Sequence, residues 1–118
     1  MNPGVVGAVF GALAVITGAF GAHGLADRLS EKDLATWEVA VKYQMYHALA
    51  LLAVAALRHA GVTIGGATVW LFTLGVIIFS GTCYALALGG PRWFGAITPI
   101  GGLLMICGWL ALAWALRA

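Results

Sequence analysis

Apolar positions run almost unbroken along this chain, and the polar ones gather between long apolar stretches. Residues 4–22, 65–88 and 94–116 contain no Asp, Glu, Lys, Arg or His. A run of roughly 18 or more apolar residues is long enough to cross the hydrocarbon core as a helix. The remaining stretch is mixed. "ADRLSEKDLATWE" is strongly polar and leads into "VKYQMYHALALL", which becomes apolar only gradually. Ser30 followed by Asp33 matches a capping box, so a helix is expected to start near Glu31. Nothing interrupts it before Gly61, a residue suited to a helix C-terminus. Glu38 and Lys42 stand at i and i+4 in the favourable order, which supports helix through the polar part.

The pattern therefore predicts an all-α fold, a four-helix transmembrane bundle, in a single membrane domain over 1–118. Its spans fall at about 4–23, 40–60, 65–88 and 95–116, with an amphipathic segment over 31–44 leading into the second. Only residues 43–57 of the second helix are membrane-like, about 15 residues, which is short for a span. This helix either projects from the bilayer as a stalk or bends at the interface. Pro3 suits a first helical turn, where its missing N–H is not needed. "GGPR" breaks the chain before the fourth span. Within that span, Pro99 either kinks a helix begun near Phe94 or, with Thr98 as N-cap, starts one.

Small residues recur along the first span at Gly4, Gly7, Gly11, Ala14, Gly18 and Gly21, and along the fourth at Gly101, Gly108, Ala111 and Ala115. In lipid such seams let backbones approach and gain dispersion contacts. They serve either a subunit interface or, as we favour, packing within one chain.

Composition agrees with the pattern. The chain is 63% hydrophobic and 8% charged, with a mean hydropathy of +1.01, whereas soluble domains are about a quarter charged. The net charge of +2 is small and scattered, with no basic cluster to follow nucleic-acid phosphates. Cys83 and Cys107 fall inside spans and read as small apolar residues rather than a disulfide. The first apolar run lacks a basic leader and is too long for a signal-peptide core, so it is expected to be a retained span.

Four spans put the end of the first helix, both ends of the 27–42 segment and the Arg92 turn on one side. His23, Glu38, Lys42, Tyr43, Gln44, Tyr46, His47, Ser80, Thr82, Cys83, Tyr84 and Thr98 all lie towards that side. Trp70, Trp109 and Trp114 fall in the other, aliphatic half as interfacial or lipid-facing aromatics. On the second helix Trp37, Gln44 and His47 share one face, and Glu38, Lys42 and Tyr46 lie roughly opposite. Each polar residue has a structural explanation: snorkelling for Lys42, helix-end bonding for His23, back-bonding for Ser80 and Thr82. His47 is the deepest ionisable side chain, expected a little inside the hydrocarbon boundary, and intramembrane ionisable residues are default functional candidates. Its imidazole needs a partner from another helix, with His23, Thr98, Ser80 or Tyr84 in reach. No nucleophile–base pair, phosphate loop or metal-type cysteine spacing accompanies it.

Four ordered motifs, "GAFGAHGL" at 18–25, "YQMYHALALL" at 43–52, "FSGTCYALAL" at 79–88 and "FGAITPIGG" at 94–102, closely resemble the domain-of-unknown-function 423 family of small membrane proteins. The resemblance covers nearly the whole chain. It implies a multi-span inner-membrane protein without an assigned activity, and it groups His23, Gln44, Tyr46, His47, Ser80, Tyr84, Thr98 and Pro99 together. "TCY" stands where relatives often show "SLY", which makes Cys83 dispensable to a shared role.

The leading expectation is a non-enzymatic scaffold or partner-binding component, integral and multi-pass, of the plasma (inner) membrane if the source is bacterial. Its partners would be the lipid bilayer and another membrane protein or a second copy, and no cofactor is expected. The alternative is a small-solute or proton pathway around His47; a haem or metal held by His23 and His47 ranks third.

Arg28, Lys32, Lys42 and Arg92 lie on one side of this topology, and Arg58 and Arg117 on the other. Positive-inside bias then places both termini outside the cytoplasm. A reporter fused at Ala118 should be active only in its non-cytoplasmic form; a cytoplasmic signal would refute the orientation.

Overall fold

The computed structural model describes residues 1–117, and Ala118 lies outside the described residues. Among these are four helices long and apolar enough to cross a membrane: α1 (Pro3–Phe20), α2 (Glu31–His59), α3 (Gly66–Ala87) and α4 (Phe94–Leu116). A π-helical turn, Gly21–Leu25, prolongs α1.

Local chemistry sets the ends of these helices. Asn2 caps α1 by accepting from the Gly4 and Val5 amides at 2.9 and 3.2 Å, ahead of Pro3 at the first position. Ser30 Oγ accepts from the Asp33 amide at 3.1 Å, and α2 begins at Glu31. At the far end Gly61 takes a φ of 95°. Its amide bonds to Arg58 while the Val62 amide reaches back to Leu57, two carbonyls that the helix end leaves unpaired. Gly89, with φ 91°, closes α3 in the same way through Leu86 and Ala85. Arg58 then pins the turn between α2 and α3 by donating from Nε and Nη2 to the Ile64 carbonyl, at 2.9 and 2.6 Å. Helix α4 begins at Phe94, so Pro99 lies inside it rather than at its start.

The helices pack in chain order, α1 on α2, α2 on α3 and α3 on α4, with no extensive contact between α1 and α4. The inner pair is the more buried, and the two outer helices turn most of their apolar surface outward. Leu51, Val54, Val69, Phe72 and Leu112 form the main core. A smaller cluster of Leu25, Trp37 and Ala87 closes the other end.

Both glycine seams face neighbours in the same chain. A Cβ added at Gly7 would lie 2.7 Å from the Ala48 carbonyl oxygen, and one at Gly18 would lie 3.3 Å from Val41. Across the second seam, a Cβ at Gly101 would strike the Phe79 backbone and one at Gly108 the Phe72 ring at 2.7 Å. Gly75 of α3, not singled out by its spacing, faces Met105 and Gly101 equally closely. Gly11 is different, since a Cβ there would sit 4.0 Å from Ala48 Cβ.

The α1–α2 seam runs along most of both helices, with Gly21 against Trp37 at one end and Gly4 against Ala55 at the other. At about 1.5 Å per residue these 18 steps of α2 cover roughly 27 Å. His47, ten steps from Trp37 and eight from Ala55, lies near the middle of this packed length. The buried face of α2 begins at Trp37, N-terminal to the apolar stretch that starts at Tyr43.

Gly7→Ala and Gly101→Ala should each destabilise the protein by roughly 1–3 kcal/mol, because the new methyl meets backbone that cannot move aside. Gly11→Ala should change stability by less than about 0.5 kcal/mol. Unfolding of the three variants in mild detergent tests the order; equal losses would show that close approach is not what the seams supply.

Candidate functional site

Helix α2 carries the polar centre of the molecule. Trp37, Gln44 and His47 turn inward, 6%, 6% and 4% exposed, while Glu38, Lys42 and Tyr46 are exposed on the other side. The inward face divides into separate arrangements rather than one cluster.

The first ties three helices together. Trp37 Nε1 donates to the Thr17 carbonyl of α1 at 2.9 Å. Gln44 Nε2 donates to the Phe10 carbonyl, also on α1, at 2.9 Å. Its Oε1 accepts from the Tyr84 hydroxyl of α3 at 2.7 Å. With the Tyr84 proton so engaged, the 2.9 Å contact between Thr17 Oγ1 and Tyr84 Oη is made by the Thr17 proton. The Trp37 and Tyr84 rings meet edge to face at 4.6 Å above this chain of bonds. Ser80 Oγ adds a bond from α3 to the Ala40 carbonyl of α2 at 2.8 Å.

The second arrangement joins α2 to α4. Trp109 Nε1 donates to His47 Nε2 at 3.0 Å. An indole nitrogen has only a donor role, so Nε2 is bare and the imidazole proton resides on Nδ1. Nδ1 in turn donates to the Tyr43 carbonyl at 2.7 Å. Both ring nitrogens of a neutral imidazole are thereby used. A proton added at Nε2 would face the indole N–H, donor against donor. Phe72 packs edge-on to Trp109 with centroids 5.1 Å apart, and Tyr43 lies nearly parallel to the His47 ring.

A third contact, 2.6 Å between the Thr82 and Thr98 hydroxyls, links α3 to α4 at the residue immediately before Pro99, which lacks the N–H for the α4 backbone ladder. Each hydroxyl is also within bonding distance of the carbonyl four residues earlier in its own helix, Ile78 and Phe94, so one threonine donates to its own helix while the proton of the other makes the link. No buried side-chain nitrogen or oxygen lacks a partner among the described residues.

Several expectations change. His47 does have an interhelical partner, but it is Trp109, placed beforehand among the lipid-facing aromatics, and not His23, Thr98, Ser80 or Tyr84. Trp109 is half exposed and uses its one polar atom inward. His23 is exposed on the π-turn beside the Gly21–Trp37 contact. Trp37 is ten residues of α2 from His47, about 15 Å of helix axis. The two histidines therefore do not share a site for a metal or haem. Glu38, Lys42 and Tyr46 stand apart from the buried bonds. Thr17 was missed, although the lone hydroxyl residue of α1, in its last turn, is the kind of signal that marks a buried bond.

Two shallow grooves flank these bonds. One of about 300 Å³ runs beside Tyr43, His47, Phe79, Met105 and Trp109. Another of about 240 Å³ lies between α1 and α3, over Gln44, Ser80 and Tyr84. Both are open at the side of the bundle, and chemically the bonded groups join helices.

If His47 and Trp109 act as a pair, His47→Leu and Trp109→Phe should not be additive. Measured interhelical bonds in membranes average about 0.6 kcal/mol, with a maximum near 1.7. A double-mutant unfolding cycle should return a coupling in that range, and strict additivity would refute the bond.

Residues 17–102 match the family described as "Protein of unknown function (DUF423)". A UPF0382 membrane protein of Staphylococcus haemolyticus is 50% identical over 114 residues, which cover 92% of this chain and 88% of that protein. The UPF0382 membrane protein YwdK of Bacillus subtilis is 42% identical over 113 residues, 94% of this chain and 92% of its own. No solved structure matches the chain significantly. Four membrane-crossing helices, the motif-bearing bonds between them and these full-length relatives agree: the chain is a multi-pass membrane protein of the DUF423 (UPF0382) family.

Proposed function

We propose that this protein is a non-enzymatic membrane component that docks another membrane helix, from a partner protein or a second copy, along α1. The observation that carries this reading is a second small-residue stripe on α1. The inner seam through Gly7, Gly18 and Gly21 is filled by α2. Ala8, Ala12 and Ala19 are exposed on the outer side, at spacings of four and seven residues. α1 has no other extensive helix contact, since α4 packs on α3. Apolar area gives no drive for pairing in lipid, so close approach at small residues is what favours docking.

A pathway for solute or protons is the weaker reading. His47 lies near the middle of the α1–α2 seam, but both its nitrogens are occupied and neither bond leads on to Gln44.

Cysteine cross-linking in native membranes tests the proposal. In a Cys83→Ala, Cys107→Ala background, Ala12→Cys should yield one discrete adduct, and adding Ala8→Leu should abolish it without changing thermal stability. Only uncross-linked chain would overturn helix docking. A His47-dependent proton flux from the purified protein in vesicles would replace it with the pathway reading.

A further inference from the structure

The two faces of the bundle use their cations differently. On the terminal face both arginines are engaged by the chain itself. Arg58 holds the Ile64 carbonyl, and Arg117 donates to Trp114 and stacks 3.7 Å from its ring centroid. On the opposite face, the first turns of α2 and the turn from α3 to α4 enclose a cleft of about 670 Å³. Lys32, Asp33 and Thr36 line one wall, and Leu86, Gly90 and Arg92 the other. Neither the Lys32 nor the Arg92 side chain makes a hydrogen bond among the described residues. Thr36 lines the cleft and donates to the Lys32 carbonyl, which leaves its oxygen free to accept. Next to Arg92, Trp93 is 62% exposed, as expected of an aromatic at headgroup level.

We propose that this cleft binds the phosphodiester headgroup of an anionic, glycerol-type phospholipid, with Lys32 and Arg92 on the phosphate. The charges define the ligand. Two cations and the Asp33 carboxylate leave one net positive charge, which complements the single negative charge of a phosphodiester better than a phosphate dianion. The Asp33 carboxylate and the Thr36 hydroxyl oxygen can accept bonds from headgroup hydroxyls. Leu86 extends the cleft towards the hydrocarbon, where acyl chains would lie. Basic side chains at a membrane surface gain further from the anionic surface potential. This site lies at the bilayer surface, away from the outer stripe of α1, and does not rest on helix docking.

The test uses the full chain, stripped of lipid in detergent and titrated with phosphatidylglycerol or phosphatidylcholine under native mass spectrometry. Wild type should retain phosphatidylglycerol selectively. Lys32→Gln with Arg92→Gln should weaken that retention roughly tenfold or more. Arg28→Gln with Lys42→Gln removes the same charge outside the cleft and should have little effect. Thermal unfolding of both double variants should match wild type, because all four side chains are exposed. Equal losses in the two variants would reduce the effect to general surface charge and overturn the site. Unchanged retention in the cleft variant would also overturn it. Displacement of the lipid by millimolar glycerol phosphate or inorganic phosphate would reassign the cleft to a soluble anion.

Discussion

Two apolar helices in a bilayer gain nothing by hiding from water, because lipid already hides them, so they stay together only where their atoms come unusually close. In this protein that closeness is supplied at Gly7 against Ala48, and at Gly75 and Gly101 against each other and Phe79. The side-chain bonds follow from it. Gln44 reaches the Phe10 carbonyl and Trp37 the Thr17 carbonyl only because α1 lies against α2 without intervening side chains. Thr82 meets Thr98 for the same reason across the α3–α4 seam. Glycine positions the backbones, and the polar residues then hold one register.

That order of events accounts for polar groups at such depth. A polar side chain in hydrocarbon is tolerated when its bonding capacity is met inside the protein. Gln44, Tyr84 and Thr17 meet it among themselves and with one carbonyl, so each secures a different helix. His47 is met by Trp109 and by its own backbone, which makes it a neutral strut between α2 and α4. The free cations are at the bilayer surface, and the outer faces of α1 and α4 are left to lipid or to neighbours. The interior is closed upon itself, and what remains available for recognition lies on the outside.

Much of this was legible in the sequence. Long uncharged runs marked three of the four helices, because hydrocarbon thickness demands a minimum apolar length, and the capping box with the apolar tail of the mixed stretch marked the other. Ser30, Gly61 and the "GGPR" break marked helix ends through backbone chemistry that acts within a few residues. The glycine seams were visible as a three-four alternation, and helical geometry alone put Trp37, Gln44 and His47 on one shared face.

What only the tertiary structure decided is which helix each face meets, and at what height. Nothing local to "KYQMYHALALL" tells His47 that its partner is Trp109, 62 residues further on. That pairing depends on α4 leaning against α3 at Gly101 and Gly108, which carries Trp109 to the flank of α2. Helix periodicity gives direction around an axis but not translation along it. The height of His47 along the bundle, its separation from His23 and the choice of Pro99 as an interior residue were therefore set by packing between helices.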